Sequence, residues 1–521
     1  MRSYLIPHIV ANAVERVPDH VAFKHGADAL SYEALWTEAG CLARALHEMG
    51  ARKGDRIGAC FGRSIKSAVA LYGITLLGCV YVPLDPKSPK SRIRSIASSC
   101  DMSILLVDEM QTRSLLSEEG GLDGVKHLVG TNRVIGGVKC WSWADVASLK
   151  PIADLPKGVD GDLAYILHTS GTTGVPKGIM HSHYSALSFA SLAAELYDLQ
   201  SDDVFGLHSP AFFDASMMGY LSVPYAMGRS IIIPELYAQM VGSLAKLFSD
   251  EKITIWYSVP YVLIQLLEIG AFEKYDYEHL NWLLYMGEPF PLGQLRQLME
   301  RLPHVRFSNV YGPTETNQCT YYHLPDIPSE DVPLGYVWGN SSYKVVDRDD
   351  HEVSGGEEGE LVIRSATTML GYWKRPDLNE KAFYTETTDT GQTEKYYRTG
   401  DRVRVDQEDR IHYLGRADRQ LKIRGNRVEL LEVESAILAI PGVREAACVA
   451  PKMGEDRRLL IALVSLELEL SPSVEEIKQL LATTLPGYAV PEEIRVVKQL
   501  PRNPTGKVDY RKLTLSLTET E

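Results

Sequence analysis

The sequence contains few cysteines, and they follow no pattern. Seven cysteines are scattered over 521 residues, and no two of them have the spacing of a CxxC motif. An odd, scattered set argues against a disulfide framework and against a zinc site, so we expect a reducing, cytoplasmic location. The N-terminal residues also lack the apolar segment of a signal peptide, and none is predicted.

Basic charge is scarce as well. The chain has 54 Lys and Arg against 68 Asp and Glu, which gives a formal net charge of −14. Proteins that bind nucleic acid need a basic surface, so nucleic acid is not expected as a partner. The composition, 45% hydrophobic and 23% charged, is that of a globular protein, and the length predicts at least two domains.

Long uncharged runs are rare. One run, from Ser67 to Leu84, has 18 residues and reaches the length of a membrane-spanning helix. It contains Gly73, Gly78 and Pro83, which interrupt such a helix. We therefore predict a buried helix at 65–77 followed by a strand at 79–82, and no membrane partner.

Apolar runs with the lengths of strands alternate with helical patterns over the first 320 residues. This alternation predicts an α/β fold with parallel sheets and flanking helices, including a helix near 236–249. After about residue 330, short β-like runs separated by polar turns predict a small β-barrel that closes the large domain. A smaller α+β domain follows. The predicted domains are residues 1–417 and 418–521.

One segment has the composition of a phosphate-binding loop. Thr169-Ser-Gly-Thr-Thr-Gly-Val-Pro-Lys-Gly178 follows a short apolar strand and combines glycines, hydroxyls and one lysine. Glycines allow a close backbone approach, and successive N–H groups can hold an anion. The segment is not the G-x-x-x-x-G-K-[ST] loop, because Gly178 follows the lysine. A flexible surface loop is the alternative.

Further motifs follow this segment in a fixed order. They are Asn309-Val-Tyr-Gly-Pro-Thr-Glu-Thr316, Tyr397-Arg-Thr-Gly-Asp401, Gly415-Arg-Ala-Asp-Arg-Gln-Leu-Lys-Ile-Arg-Gly425 and Asn503-Pro-Thr-Gly-Lys-Val-Asp509. Together with the phosphate loop, they resemble the core motifs of the AMP-forming adenylating enzymes, the superfamily of acyl-CoA synthetases, amino-acid adenylation domains and luciferases. The resemblance implies ATP and Mg²⁺ as cofactors.

The resemblance also implies roles for individual residues. Lys507 and Thr314 would act on the α-phosphate, and Glu315 would hold Mg²⁺, which prefers oxygen ligands. Asp418 would be the hinge of a mobile C-terminal domain. The implied ATP-binding residues are Thr169, Ser170, Gly171, Thr172, Thr173, Gly174, Lys177, Gly287, Glu288, Asn309, Tyr311, Gly312, Asp401, Tyr413, Arg416 and Lys422.

The segment Phe213-Asp-Ala-Ser216 resembles the amino-acid branch, in which an aspartate pairs with the substrate ammonium. The alternative is that Asp214 caps a helix that begins at Ala215. Carried over residue by residue, the substrate pocket would contain Asp214, Ala215, Met218, Tyr257, Leu284, Met286, Val310, Gln318 and Cys319. Apart from Asp214 this set is uncharged, which favours a small neutral amino acid.

The pocket most resembles that of free-standing L-prolyl-carrier-protein ligases. Tyr257, Leu284 and Cys319 match that pattern. Ala215, Met218, Met286 and Gln318 depart from it, and Gln318 places a polar amide where the resemblance predicts an apolar residue. Proline is the first candidate substrate, and β-amino acids and amino-aryl acids stay open.

The predicted acceptor is the phosphopantetheine arm of a separate carrier protein, because no carrier segment lies in the 14 residues after Lys507. Within the ligases, the alternative acceptor is CoA. A luciferase-type oxidoreductase is disfavoured by Asp214, and a catalytically inactive binding protein is disfavoured by the presence of Glu315, Asp401 and Lys507.

Overall fold

The computed structural model describes residues 3–108, 124–132, 137–152, 154, 157–169, 176–353, 355–416, 420–453, 457–467, 472–502 and 508–518. The chain forms two compact units. The larger unit comprises Met1–Pro86, Ala97–His168 and Gly178–Ala417. The smaller unit comprises Lys87–Ile96, Thr169–Lys177 and Asp418–Glu521.

A mixed sheet runs through the larger unit, and its central strands are parallel. Within the described chain it has nine strands, in the order Tyr336–Val337, Thr320–His323, Arg306–Tyr311, Trp282–Met286, Ile255–Ser258, Val204–Leu207, Arg229–Ile232, Val21–His25 and Asp28–Ser31. Thr320–His323 pairs antiparallel with both of its neighbours, Tyr336–Val337 and Arg306–Tyr311, and Asp28–Ser31 pairs antiparallel with Val21–His25. All other neighbouring strands in this sheet are parallel.

A second sheet has eight strands among the described residues. Their order is Gly371–Tyr372, Lys177–Ser182, Leu163–Thr169, Val80–Leu84, Arg56–Cys60, Ile104–Val107, His127–Val129 and Lys139–Trp141. Parallel pairs join the strands from Leu163–Thr169 to Lys139–Trp141. The predicted α/β class with parallel sheets is confirmed.

Helices flank these sheets, and one apolar core joins them. The core contains Phe205 of the nine-stranded sheet, Tyr165 of the eight-stranded sheet and Leu42 of a helix. The described helices before residue 417 are Pro7–Arg16, Tyr32–Glu48, Lys66–Leu76, Lys90–Ser99, Trp143–Ala147, His183–Leu196, Val223–Tyr225, Glu235–Gln239, Val241–Asp250, Pro260–Glu268, Ala271–Lys274, Leu292–Arg301 and Pro376–Lys381.

The uncharged run at 67–84 folds as predicted. The helix Lys66–Leu76 is buried on all sides, the chain turns at Gly78 with φ 76°, and the strand Val80–Leu84 follows. Across the described residues, no helix has both the length and the apolar composition needed to cross a membrane.

The single helix predicted near 236–249 is wrong. The structure has two helices, Glu235–Gln239 and Val241–Asp250, which are separated by Met240 in an extended conformation. The first helix buries no residue, whereas the second buries Leu244 and Phe248 against the core. The two segments therefore have different environments, and a continuous helix would not give the second one its buried face.

An antiparallel sheet follows in the larger unit. Its strands are Ser341–Val346, Glu358–Ser365, Thr393–Val405, Phe383–Thr387 and Ile411–Arg416, and the last two both pair with the long strand Thr393–Val405. Lys344 on the first strand forms an ion pair with Glu386 of Phe383–Thr387 at 2.7 Å. These two strands are separated by two others, so the ion pair reaches across the sheet.

The smaller unit has an α+β core of its own. A hairpin of Gln420–Ile423 and Asn426–Glu429 leads into the helix Leu430–Leu438. A three-stranded sheet follows, in the order Val443–Val449, Ile461–Leu466 and Glu493–Val496, with a short pair of Lys452–Met453 and Arg457–Arg458. The helices Val474–Ala482 and Tyr510–Thr518 complete the described part of this unit.

Candidate functional site

Three neighbouring parallel strands bring together the apolar residues of the predicted pocket. Tyr257 lies beside Leu284, and Met286 lies beside Val310, in the register of the nine-stranded sheet. All four side chains are buried in the core that joins the two sheets. Met286 ends its strand, Tyr257 and Val310 lie one residue before the carboxyl ends of theirs, and Leu284 lies in the middle of its strand. Open α/β sheets bind ligands at the carboxyl ends of their strands.

Gln318 joins two of these residues. Its Nε2 donates a hydrogen bond to the Tyr257 hydroxyl at 2.7 Å, and that hydroxyl donates to the Met286 sulfur. Gln318 is 1% exposed, and its Oε1 has no hydrogen-bond partner among the residues that the structure describes. Burial, followed by the nearby charge of Asp214, raises the pKa of Tyr257 far above its usual value, so this phenol stays protonated. We refer to Tyr257, Met286 and Gln318 as the Gln318 cluster.

A tight turn sets the position of Gln318. A Cβ on Gly312 would lie 2.2 Å from the carbonyl oxygen of Asn317 and 2.7 Å from the Cα of Gln318, so only glycine fits there. Asn317 has φ 60°, a left-handed conformation that asparagine tolerates better than most residues. Cys319 closes the turn, because its N–H donates to the carbonyl of Tyr311 at 3.0 Å. Gly312, predicted at the ATP site, therefore also fixes the backbone of Gln318, a residue of the predicted pocket.

Asp214 begins a short 3₁₀ helix, Asp214–Ser216, rather than a long one. Its Oδ1 accepts from the N–H of the next residue, Ala215, at 2.7 Å. The N-cap of this short helix is Phe213, and the helix has no side-chain capping bond, so the alternative role of Asp214 as a helix cap is not seen. Its Oδ2 accepts from the Thr314 hydroxyl at 2.5 Å. This bond joins the residue predicted to bind an ammonium with a residue predicted to act on the α-phosphate. Met218 follows in a π-helical turn, Met218–Ser222, and is fully buried.

Two further hydrogen bonds hold the turn that carries Thr314 and Glu315. His181 Nε2 bonds the carbonyl of Thr314 at 3.0 Å, and because a carbonyl only accepts, this nitrogen carries the proton. Burial lowers the pKa of His181 to about 4, so the ring is neutral at physiological pH. The Tyr372 hydroxyl donates to Oε1 of Glu315 at 2.8 Å.

Glu315 suits a magnesium ion by the chemistry of its donor atoms. Its carboxylate is fully buried, and buried carboxylates are costly unless they are paired with a cation or hydrogen-bonded. The bond from Tyr372 orients this carboxylate, whose oxygens are the hard donor atoms that Mg²⁺ prefers.

A second cluster joins three predicted ATP-binding residues. Asp401 Oδ1 accepts from Arg416 Nη1 at 3.0 Å, and Asp401 Oδ2 accepts from the Tyr311 hydroxyl. Asp401 and Arg416 are direct partners on adjacent antiparallel strands. Burial and then the Asp401 charge raise the pKa of Tyr311 far above its usual value. We refer to Tyr311, Asp401 and Arg416 as the Asp401 cluster.

The other predicted residues of the larger unit have separate surroundings. The Asn309 side chain donates to the carbonyl of Pro333 at 2.8 Å. Gly287 has φ 98°, a conformation that favours glycine, and Glu288 follows it. Tyr413 is 39% exposed, which makes it the most accessible predicted ATP-binding residue of this unit.

In the smaller unit, Lys177 pairs with a carboxylate. Its Nζ lies 3.3 Å from Oε1 of Glu429, and both side chains are buried. A phosphate bound by Lys177 would therefore replace Glu429 as its partner. Thr169 ends the strand Leu163–Thr169, and Lys422 lies on the strand Gln420–Ile423.

Seven predicted residues lie outside the described residues. They are Ser170, Gly171, Thr172, Thr173, Gly174, Asp418 and Lys507.

Sequence reasoning missed three residues that contact the predicted ones: His181, Tyr372 and Glu429. Tyr372 lies in Gly371-Tyr-Trp-Lys-Arg-Pro376, a segment that weakly matches the same enzyme superfamily, so a signal for it existed. His181 and Glu429 carry no local signal, because they meet their partners across 133 and 252 residues of chain.

Comparison of this fold and sequence with known proteins defines the class. The structure resembles an amide bond synthetase, McbA, from Marinactinospora thermotolerans, with a TM-score of 0.85, 21% identity and coverage of 98% of this chain and 100% of that one. This likeness concerns the fold.

The sequence defines the family. The family model of the AMP-binding enzymes matches residues 10–373, and the model of their C-terminal domain matches residues 432–507. An L-proline--[L-prolyl-carrier protein] ligase of Pseudomonas fluorescens is 34% identical over 97% of this chain and 98% of its own length. A protein of the same name from Streptomyces coelicolor is 33% identical over 96% of both chains. The chain belongs to the AMP-binding enzyme family and is an AMP-forming ligase.

Proposed function

We propose that this ligase activates a small neutral amino acid with ATP and transfers it to the phosphopantetheine thiol of a separate carrier protein. The observation that carries the proposal is the 2.5 Å bond between Asp214 and Thr314. It joins the carboxylate proposed for the substrate ammonium to the motif proposed for the α-phosphate. An amino acid held by Asp214 would thus have its carboxylate close to the phosphate to be attacked.

The first half-reaction forms an acyl adenylate. A carboxylate oxygen of the amino acid attacks the α-phosphorus of ATP, the bond to the β-phosphate oxygen breaks, and pyrophosphate leaves. Because two anions must meet, positive charge at this point stabilises the transition state. Lys507 is proposed to supply an ammonium there, with Thr314 donating a hydrogen bond. Glu315 would hold Mg²⁺, which would supply positive charge to neutralise the phosphates.

The nucleotide has several proposed partners. In the Asp401 cluster, the carboxylate is proposed to bind the ribose hydroxyls, and the Tyr311 ring is proposed to pack against adenine. A carboxylate that accepts two ribose hydroxyls is a bidentate, charge-assisted contact. The remaining proposed ATP contacts are those of the phosphate loop with Lys177, and of Gly287, Glu288, Asn309, Gly312, Tyr413, Arg416 and Lys422.

The second half-reaction moves the acyl group to sulfur. A thiolate attacks the acyl carbon, the carbon–oxygen bond to AMP breaks, and AMP leaves. We propose residues 1–417 as the core that binds both substrates and residues 418–521 as a mobile lid that carries Lys507 and turns at Asp418. The names of the relatives, both ligases that act on a carrier protein, support this acceptor. The proposed location is the cytoplasm, and the seven cysteines are free thiols in keeping with it.

The first test is ATP–pyrophosphate exchange over a panel of acids. The panel contains the proteinogenic amino acids, several β-amino acids, anthranilate and a fatty acid. Exchange with a small α-amino acid supports the proposal, with proline as the first candidate. Exchange confined to β-amino acids or anthranilate identifies an amino-aryl or β-amino acid enzyme. Exchange confined to an acid without an amine contradicts the role of Asp214.

Lys507→Ala tests the chemistry. We expect the loss of a positioned ammonium to lower the adenylation rate by about a hundredfold or more. Thioester formation from supplied adenylate should be less affected, which separates a catalytic role from a folding defect. Lys512→Ala, on the exposed face of Tyr510–Thr518, is the matched control. Near-normal adenylation by Lys507→Ala would refute the role of Lys507.

The acceptor is tested separately. The kcat/KM for a free phosphopantetheinylated carrier protein should greatly exceed that for CoA. Equal or better use of CoA would make the protein an acyl-CoA ligase instead.

A further inference from the structure

One atom in the predicted pocket has its hydrogen-bonding capacity unused. Among the nine pocket residues, all of which the structure describes, Gln318 has the one buried side-chain oxygen or nitrogen without a partner. We infer that the amino acid activated at the proposed site carries a hydrogen-bond donor on its side chain, and that Gln318 Oε1 accepts from it. The inference rests on the proposed function and names the substrate class for it.

The pocket itself cannot supply this donor. The Gln318 amide nitrogen is already bonded to Tyr257, and the Tyr257 proton is directed to the Met286 sulfur. The Cys319 thiol bonds the carbonyl of Tyr311 at 3.7 Å. The remaining side chains that line the pocket, apart from the acceptor Asp214, are hydrocarbon or thioether and hold no proton to donate: Ala215, Met218, Leu284, Met286 and Val310.

A buried amide oxygen is stable in a folded protein when it meets a donor. The bond between Nε2 and Tyr257 prevents the amide from turning away, and Gln318 is 1% exposed, so solvent reaches it little. The tight turn at Gly312 fixes the backbone beneath it. The oxygen is therefore held in place before any substrate binds, which is the arrangement of a site built to recognise a donor.

The Gln318 cluster is also within electrostatic reach of Asp214. The Asp214 charge raises the pKa of Tyr257, the direct partner of Gln318. In the proposed binding mode, an amino acid whose ammonium is bound to Asp214 directs its side chain towards this cluster. The donor is a hydroxyl or an amide N–H, and the buried volumes of Met218, Met286 and Tyr257 restrict it to a compact side chain. Proline has no such donor on its side chain, because its only N–H group is the amine that Asp214 would bind.

The test uses pairs of amino acids that match in shape and differ in the donor. The pairs are valine with threonine, 2-aminobutyrate with serine, proline with 4-hydroxyproline, and leucine with asparagine. ATP–pyrophosphate exchange gives kcat/KM for each member. A site that bonds a substrate hydroxyl or N–H rejects the analogue that lacks it, so we expect a preference of about tenfold or more for the donor in at least one pair. The hydroxyl and amide pairs distinguish the two donors.

Gln318→Met removes the acceptor at nearly constant volume and should reduce that preference by about tenfold. Gln318→Glu keeps an acceptor and should retain the preference. Ile255→Val changes the packing of the strand that carries Tyr257 at a buried residue outside the predicted pocket, and it should leave the ratio unaltered. Thermal unfolding of each variant checks that it folds.

Two results would overturn the inference while leaving the proposed function intact. One is stronger exchange with the apolar member of every pair in the unmodified enzyme. The other is a preference that Gln318→Met does not change. Exchange with none of the amino acids would overturn the proposed function and this inference together.

Discussion

The Asp401 cluster and the Gln318 cluster satisfy their buried polar atoms in different ways. In the first, a charged carboxylate receives hydrogen bonds from both Tyr311 and Arg416. In the second, a neutral amide bonds one tyrosine and keeps an unpaired oxygen. The charged cluster would exchange partners for a ribose, whereas the neutral one has an open position for a ligand atom.

The difference reflects what each cluster is proposed to bind. All AMP-forming ligases bind the same nucleotide, so a short contiguous motif can specify its contacts. Their acids differ, and the pocket draws its residues from several strands and turns, so one residue can change without disturbing the nucleotide site. Breaking the two clusters separately should therefore separate the two substrates in the kinetics.

The largest expected effect is that of Asp214→Ala on the amino acid. Removing one partner of a buried charge pair costs about 3 kcal/mol, so the KM for the amino acid should rise about a hundredfold. The KM for ATP should change far less. Exchange assays with each substrate varied in turn measure both values.

Asp203→Ala is the matched control for Asp214→Ala. Asp203 also accepts from a threonine hydroxyl, that of Thr254 at 2.6 Å, and from a backbone N–H. Its loss should lower the thermal stability without changing either KM. Equal effects of Asp214→Ala on the two substrates would make Asp214 a structural residue.

Asp401→Asn should raise the KM for ATP rather than the KM for the amino acid, in contrast to Asp214→Ala. The amide keeps the shape but loses the charge that Arg416 and a ribose would share. Hydrogen bonds to charged groups contribute about 2 kcal/mol, so the KM for ATP should rise about thirtyfold. The KM for the amino acid should remain nearly constant.

Asp409→Asn controls for the loss of a carboxylate in the same antiparallel sheet. Asp409 also accepts from a tyrosine hydroxyl, that of Tyr343, but lies at the surface. This variant should leave both KM values as they are. If Asp401→Asn and Asp409→Asn behave alike, the Asp401 cluster serves the sheet and not the nucleotide.

The contiguous parts of the molecule could be predicted from the sequence. The alternation of strands and helices and the turn at Gly78 follow from local patterns. The break at Met240 could not be predicted, because local periodicity runs through it and the burial of Leu244 and Phe248 is a tertiary effect.

The same limit applies to the candidate site. The motif residues Asp214, Thr314 and Asp401 carry a local signal, but their pairing does not. Thr314 meets Asp214 across 100 residues of chain, and Tyr311 meets Asp401 across 90. The unpaired oxygen of Gln318 likewise exists only in the folded chain, because it depends on which atom Tyr257 binds.

The smallest effect is expected for His181, which belongs to neither cluster. His181 donates to the Thr314 carbonyl and stacks on Tyr165 at 4.9 Å, so it positions the turn between the two proposed substrate sites. His181→Ala removes one neutral hydrogen bond, worth about 1 kcal/mol, and should lower kcat about fivefold with little change in either KM. The value of kcat is measured from the rate of adenylate formation at saturating ATP and amino acid.

His183→Ala is the control for His181→Ala, since burial lowers the pKa of both histidines to about 4 and both are almost fully buried. His183 instead accepts from the N–H of Ile6 at 3.1 Å and has no contact with the turn at Thr314. Both variants should lower the melting temperature, but only His181→Ala should lower kcat at a temperature where both are folded. A selective rise in one KM would place His181 within one of the two substrate sites. Equal kcat values for the two variants would show that the Thr314 turn keeps its position without His181.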